Sequence, residues 1–362
     1  MQKIVHILYS GFGGHASVVY SYLSEPLLND YEHHLIFFGI EDIIAEHKQF
    51  CKDNALSYEY VRKPTSFNFS YLFKLLKVLI KQKPRLVITH SLPTVPVVML
   101  YRLVARCRLV LIEHASLELK RAIDYLWTCL GQLICHKIIY LTAQAYNESR
   151  DKFRLIFRKD KNGVISNGIN LNKFVPSLNK PANDRLVLAT HCRLVEVKDL
   201  GTLITAVSMV NIDSSIVLKI AGEGPAKKML ESMTEKLNIS EKVTFVGLLN
   251  EDKVIGFLQS TDIYANTSKI ETMSTSLMQA MACGLPCIVS DIRGNLEMIE
   301  NEENGLSFKL SDPSDLAEKI ERLSTNFAER KEFGEKGRKW AVGHYSNQIM
   351  ADNYRKLIKE VL

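Results

Sequence analysis

Short apolar runs alternate with longer amphipathic stretches along most of the chain, in two separate series. Lys3–Tyr9 reads as a buried strand and His15–Leu28 as the helix after it. His34–Phe38, Ser57–Val61, Arg85–Thr89, Leu109–Glu113 and Lys137–Leu141 are further runs of strand length, with helical patterns between them. Strands separated by helices pair in parallel, and a parallel strand covered on both faces is apolar at consecutive positions. The pattern breaks at Asn167–Asp184, rich in Asn and Pro and poor in apolar residues, which reads as a linker. It resumes with Leu186–Thr190, Ile216–Ala221, Val243–Val246, Ile263–Ala265, Cys287–Ser290 and Gly305–Lys309. The chain closes in helical sequence, Asp312–Leu323 and then Ser346–Leu362. The expectation is an α/β chain of two domains, residues 1–170 and 171–343.

The length of 362 residues suits two domains. The net charge of +6 is distributed unevenly: residues 1–170 hold 22 Lys and Arg against 14 Asp and Glu, the remainder 24 against 26. A basic first half suggests an anionic neighbour, whether a membrane surface, a phosphorylated substrate or nucleic acid. No nucleic-acid-binding motif accompanies the charge, so nucleic acid is not expected. Seven cysteines without a disulfide framework, no signal-peptide pattern and no apolar run of membrane-spanning length point to the cytoplasm. Ser70–Arg85 is amphipathic and basic. Its stripe of Tyr71, Leu72, Leu75, Leu76, Leu79 and Ile80 either covers the sheet or lies on an anionic membrane, and periodicity alone leaves both readings open.

Four motifs carry candidate chemistry. Gly11-Phe12-Gly13-Gly14 follows the first strand and precedes the first helix, where glycines allow a tight turn or the close approach of a phosphate. His191-Cys192-Arg193-Leu194, with Lys198 five residues after the arginine, ends the first strand of the second series. Ligands of open α/β sheets bind beyond strand carboxyl ends, and two cations there suit a diphosphate. Ala221-Gly222-Glu223-Gly224-Pro225 reads as a glycine turn feeding a helix. In the stretch from Glu271 to Pro286, a polar loop leads into a helix ended by Gly284. The amides of Met273, Ser274 and Thr275 are expected at that helix's N-terminus, suited to a phosphate, with Gln279 about two turns beyond Glu271.

The last stretch resembles the E-x7-E segment of retaining GT-B glycosyltransferases of the GT4-like group. The resemblance extends over nearly the whole chain, through the first glycine turn, Glu113-His114-Ala115, Asn167-Gly168-Ile169-Asn170 with Phe174, Arg193 with Lys198, Gly222-Glu223-Gly224-Pro225 and Ala280–Pro286. It implies two facing Rossmann-like domains around a cleft, with the C-terminal helix, about 344–362, packing back on the first. By that resemblance Arg193 and Lys198 hold the donor pyrophosphate, Glu271 contacts the donor sugar, and His114 lies near the reacting carbon. Gly13 and Gly14 close on the phosphates, Met273, Ser274 and Thr275 meet phosphate or sugar, Gln279 meets the ribose, and the base rests beside Val246. The implied partners are a nucleotide sugar, UDP-linked by preference, and a glycan or lipid-linked acceptor, with peripheral association at the inner face of the plasma membrane. No cofactor or metal is expected, since there is no Asp-x-Asp clamp. The chain departs from the family pattern at Gln279, where a glutamate is usual, at Thr272-Met273-Ser274 and at Cys192. Two other readings stand beside this one: an NAD-dependent oxidoreductase, with Glu41 or Asp42 as ribose partner, and a non-catalytic binding partner of another transferase.

Overall fold

The computed structural model describes residues 1–11, 14–23, 30–64, 70–114, 117, 120–177, 185–211 and 216–362. They form two units, residues 1–168 with 347–362, and residues 169–346.

The first unit is built on seven strands: β1 (Lys3–Tyr9), β2 (Glu32–Gly39), β3 (Ser57–Arg62), β4 (Leu86–Thr89), β5 (Arg108–Glu113), β6 (Lys137–Tyr140) and β7 (Asn162–Val164). All run parallel, in the order 3-2-1-4-5-6-7. Helices α1 (Gly14–Leu23), α2 (Ala45–Asp53), α3 (Ser70–Gln82), α4 (Val95–Val104), α5 (Ala122–Ile134) and α6 (Ala143–Lys152) connect them. Ile4, Val5, Ile7 and Leu8 are all fully buried, which is why β1 shows no alternation. The stripe on α3 turns inward: Leu75 and Leu79 are buried, and Tyr71, Leu72 and Leu76 pack against the same core. Ile80 is the exception and is exposed. The short β7 has no apolar run to announce it. It is recruited by pairing Asn162–Val164 with Ile138–Tyr140.

The second unit repeats the plan with β8 (Leu186–His191), β9 (Ile216–Ala221), β10 (Val243–Gly247), β11 (Ile263–Asn266), β12 (Cys287–Ser290) and β13 (Leu306–Phe308). These strands are parallel in the order 10-9-8-11-12-13. Its helices are α7 (Leu200–Met209), α8 (Lys227–Lys236), α9 (Glu251–Gln259), α10 (Thr275–Ala282), α11 (Arg293–Leu296), α12 (Pro313–Thr325) and α13 (Phe327–His344). Local chemistry sets their limits. Asp312 accepts from the amides of Ser314 and Asp315 and Pro313 is the first residue of α12, while Gly284 after α10 takes φ 72°. A final helix, α14 (Asn347–Val361), belongs to the first unit, where Tyr354 stacks on Tyr22 with ring centroids 4.3 Å apart.

In each sheet the chain winds outward in both directions from a central pair, β1 and β4 or β8 and β11. The loops leaving such a pair depart to opposite faces and leave a crevice at the strand carboxyl ends.

Candidate active site

The crevice of the second unit gathers most of the candidate residues. After β8 the chain runs through Cys192, Arg193 and Leu194 into a single 3-10 turn, Glu196–Lys198, and then α7. Two glycines hold this loop in place. Gly222 has φ 137°, and a Cβ there would lie 1.9 Å from the Cys192 carbonyl oxygen; one on Gly224 would lie 2.2 Å from that of Leu194. The Cys192 amide donates to Ala221 O at 3.0 Å and the Leu194 amide to Glu223 O at 2.9 Å. The glycine turn is therefore a support for the arginine loop, and the Glu223 carboxylate is paired with Lys227 at 2.8 Å. Arg193 is exposed, and its guanidinium makes no hydrogen bond or ion pair among the described residues.

The loop after β11 meets the same place. Lys198 forms an ion pair with Glu271, whose Oε1 also accepts from Ser268 Oγ at 3.0 Å. The two loops are tied by the main chain as well: the Lys269 amide donates to Val197 O at 2.8 Å, and Thr267 Oγ1 to Lys198 O at 2.9 Å. Below them sits Gly294, at the start of α11, where a Cβ would come within 2.1 Å of the Glu271 carbonyl oxygen.

Ser274 is the N-cap of α10, its hydroxyl accepting from the Leu277 amide at 3.3 Å and from Asn266 Nδ2 at 3.1 Å. Ser274 and Met273 are buried. Among the described residues the N–H groups of Thr275 and Ser276 have no acceptor, which leaves them to an anion.

Gln279 has a partner that sequence reasoning did not supply. Its Oε1 lies 2.8 Å from His191 Nε2, at the end of β8. His191 packs against Tyr264 and Phe257, and burial pushes its ring down to about 4. A neutral ring therefore donates from Nε2 to the amide oxygen, which leaves the Gln279 NH2 group as the part free to meet a ligand. Val246 is partly exposed near the end of β10, two strands from β8.

The remaining candidates belong to the first unit. His114 follows β5, and its Nε2 shares a hydrogen bond of 2.8 Å with Nδ1 of the buried His90, which follows β4. The preceding Glu113 is buried in an ion pair with Lys120 at 2.7 Å, and Lys120 also donates to Thr128 Oγ1 at 2.9 Å. Gly14 opens α1, while Gly13 lies outside the described residues. Asn266, Ser268 and Gly294 are the site residues that motif reading missed. The first two carried a usable signal, polar residues placed directly after an apolar strand. Gly294 is visible only through a contact between distant segments, as is the bond that joins His191 to Gln279.

Comparison with known proteins bears on the family and the fold. Residues 172–340 match the family described as Glycosyl transferases group 1, and residues 12–173 match Glycosyltransferase Family 4. The lipopolysaccharide core biosynthesis glycosyltransferase LpsE of Rhizobium meliloti is 27% identical over 199 residues, 54% of this chain and 57% of LpsE. The UDP-Gal:alpha-D-GlcNAc-diphosphoundecaprenol alpha-1,3-galactosyltransferase of Escherichia coli is 27% identical over 271 residues, 67% of this chain and 66% of the relative. The matches span about half the length of the first curated relatives. Among solved structures, Anabaena HepE in complex with UDP and glucose superposes with a TM-score of 0.83, 18% identity, and coverage of 99% of this chain and 100% of that one. That likeness shows the fold, the two Rossmann-like domains of the GT-B class.

Proposed function

Since the chain belongs to the glycosyl transferases group 1 family, with a family 4 domain ahead of it, we propose that it transfers a hexose or N-acetylhexosamine from a nucleotide sugar to a glycan or lipid-linked acceptor, with retention at the anomeric carbon. The donor is a UDP-sugar and the product a cell-surface polysaccharide, made in the cytoplasm at the inner face of the plasma membrane. The observation that carries the reading is Arg193 in the loop after β8, exposed and without a side-chain partner among the described residues, together with the Lys198–Glu271 pair that joins this loop to the one after β11 and the open amides of α10. When the bond from the anomeric carbon to the diphosphate oxygen breaks, negative charge collects on the leaving group. On this reading Arg193 and the Thr275 and Ser276 amides take it up, and Glu271 holds the Lys198 ammonium. Glu271 in turn offers its carboxylate to sugar hydroxyls, Gln279 its NH2 group to the ribose, and the end of β10 at Val246 a ledge for the base. His114 is assigned to the donor sugar, near the reacting carbon.

The named relatives are sugar transferases, which favours this reading over the oxidoreductase one. UDP release from a panel of UDP-sugars, with and without acceptor, is the test. Turnover by wild type and its loss in Arg193→Ala is the expected result. Donor binding without UDP release for any acceptor would favour the non-catalytic reading, and neither binding nor release would defeat both.

A further inference from the structure

One edge of the first unit carries charge and apolar surface that neither the fold nor the proposed transfer uses. Arg85 precedes β4, Arg108 opens β5, His136 precedes β6 and Lys161 precedes β7, so neighbouring strands start with basic residues. This edge is opposite the one bearing His90 and His114. Helices α4 and α5 end here, and their carbonyls account for part of the charge: Arg102 donates to Ile134 O at 2.6 Å and Lys161 to Leu133 O at 3.4 Å. They do not account for Arg85, Arg106 and Arg108, which are exposed and whose side chains make no ion pair or hydrogen bond among the described residues. Two adjoining hollows, about 600 and 660 Å³, share Arg102, Arg108 and His136 as walls. The field there is positive enough that Arg102, Arg108 and Lys161 join burial in pushing His136 down to about 4.

Aliphatic side chains stand among these cations. Leu103 and Val104, on the last turn of α4, are 77% and 73% exposed, and Leu133 on α5 is 61% exposed; all three line the same hollows. Leu100 on α4 and Leu126 on α5 continue the outward stripes at helical spacing. A helix covering a sheet needs one apolar face, and on α4 that face is already supplied by Val97, Val98 and Tyr101. A second apolar face has no core to meet.

We propose that this edge docks the chain on an anionic bilayer, with Arg85, Arg106 and Arg108 taking lipid phosphates and Leu103, Val104 and Leu133 entering the interfacial zone. Charge complementarity selects the occupant. Guanidiniums without carboxylate partners, interleaved with aliphatic groups, fit phosphates set over hydrocarbon. A soluble polyanion has nothing to offer the leucines, and an apolar protein face has nothing to offer the arginines. The surface is distinct from the transfer site, so docking is measured without donor or acceptor and stands or falls separately from the proposed activity.

The test is co-sedimentation of the full chain with vesicles of phosphatidylcholine alone and of phosphatidylcholine mixed with phosphatidylglycerol, at low and high salt. Wild type is expected on the mixed vesicles, less so at high salt, and not on the neutral ones. Each arginine changed to glutamine should weaken binding about fivefold, and the triple change at 85, 106 and 108 about a hundredfold. Leu103→Ser with Val104→Ser should weaken it about tenfold, while lysines at the three arginine positions retain most of it. All variants should melt as wild type does, since none of these side chains makes a hydrogen bond or ion pair among the described residues. Wild type remaining in the supernatant, or a triple glutamine variant that binds as wild type does, overturns the proposal. So does a dimer that the serine variant converts to monomer while vesicle binding stays unchanged, which would give the surface to a second copy of the chain.

Discussion

Changing Gln279 to glutamate tests the geometry at the point where this chain leaves its family. In the wild type, the amide oxygen is engaged by His191 Nε2 at 2.8 Å, and the ring is neutral because burial holds it near 4. A carboxylate at position 279 would accept from ribose hydroxyls with a charged oxygen. Such a bond is worth about 1.5–3 kcal/mol against 0.5–1.5 for a neutral one, so UDP should bind about fivefold more tightly. The same carboxylate would stand against His191. Two opposite charges about 4 Å apart at an effective dielectric of about 20 attract by about 4 kcal/mol. Since about 1.4 kcal/mol moves a titration by one pH unit, His191 would then titrate in the neutral range. At pH 8 the carboxylate is free for the ribose; at pH 6 it is committed to a protonated ring. The ratio of wild-type to variant Kd for UDP, measured by calorimetry, should therefore be about five at pH 8 and near one at pH 6. Taking the ratio removes the nucleotide's own titration. Adding His191→Phe should make the gain independent of pH. A ratio of one at both pH values would show that residue 279 does not touch the nucleotide, and a constant gain would refute the role given to His191.

Arg193→Ala should raise the barrier to transfer by about 2–4 kcal/mol without changing the melting temperature, whereas Lys198→Ala should lower both activity and stability because it strands Glu271; kinetics and melting curves separate the two. Gly294→Ala forces a methyl against the Glu271 carbonyl, and should cost about 1–3 kcal/mol in urea unfolding and most of kcat/KM. Lys120→Met removes the ammonium paired with the buried Glu113 carboxylate and should cost about 3–5 kcal/mol, recovered in large part by adding Glu113→Gln. His6 and His191 are buried with titrations below their ordinary 6.5. The unfolded chain takes up their protons first, so stability is full above pH 6.5 and falls as pH drops toward 4; a melting temperature that rises over that interval would contradict this.

The fold class was legible because burial on both faces of a parallel sheet makes each strand a continuous apolar run, as in Lys3–Tyr9 and Leu186–His191. The helix stop at Gly284 was legible because backbone chemistry at helix ends is local. Lys198 and Glu271 were joined in one site by the resemblance of their motifs to the family's, and their ion pair follows from two loops that leave neighbouring strand ends.

What the tertiary structure alone decided depends on contacts between residues far apart in the chain. The stripe on α3 could have met water, membrane or core with the same periodicity; the packing of Leu75 and Leu79 turned it inward. The engagement of Gln279 by His191 joins residues 88 positions apart, and no spacing rule connects them. Gly294 looked like any glycine in a helix start until the Glu271 carbonyl was found against it. The strand β7 exists because β6 offers its free edge to Asn162–Val164, not because three such residues prefer extended backbone. Sequence thus determined which segments are strands and helices, through short-range preference and burial pattern. Which side chains share a site, and which face each helix hides, followed only once long-range packing had chosen their neighbours.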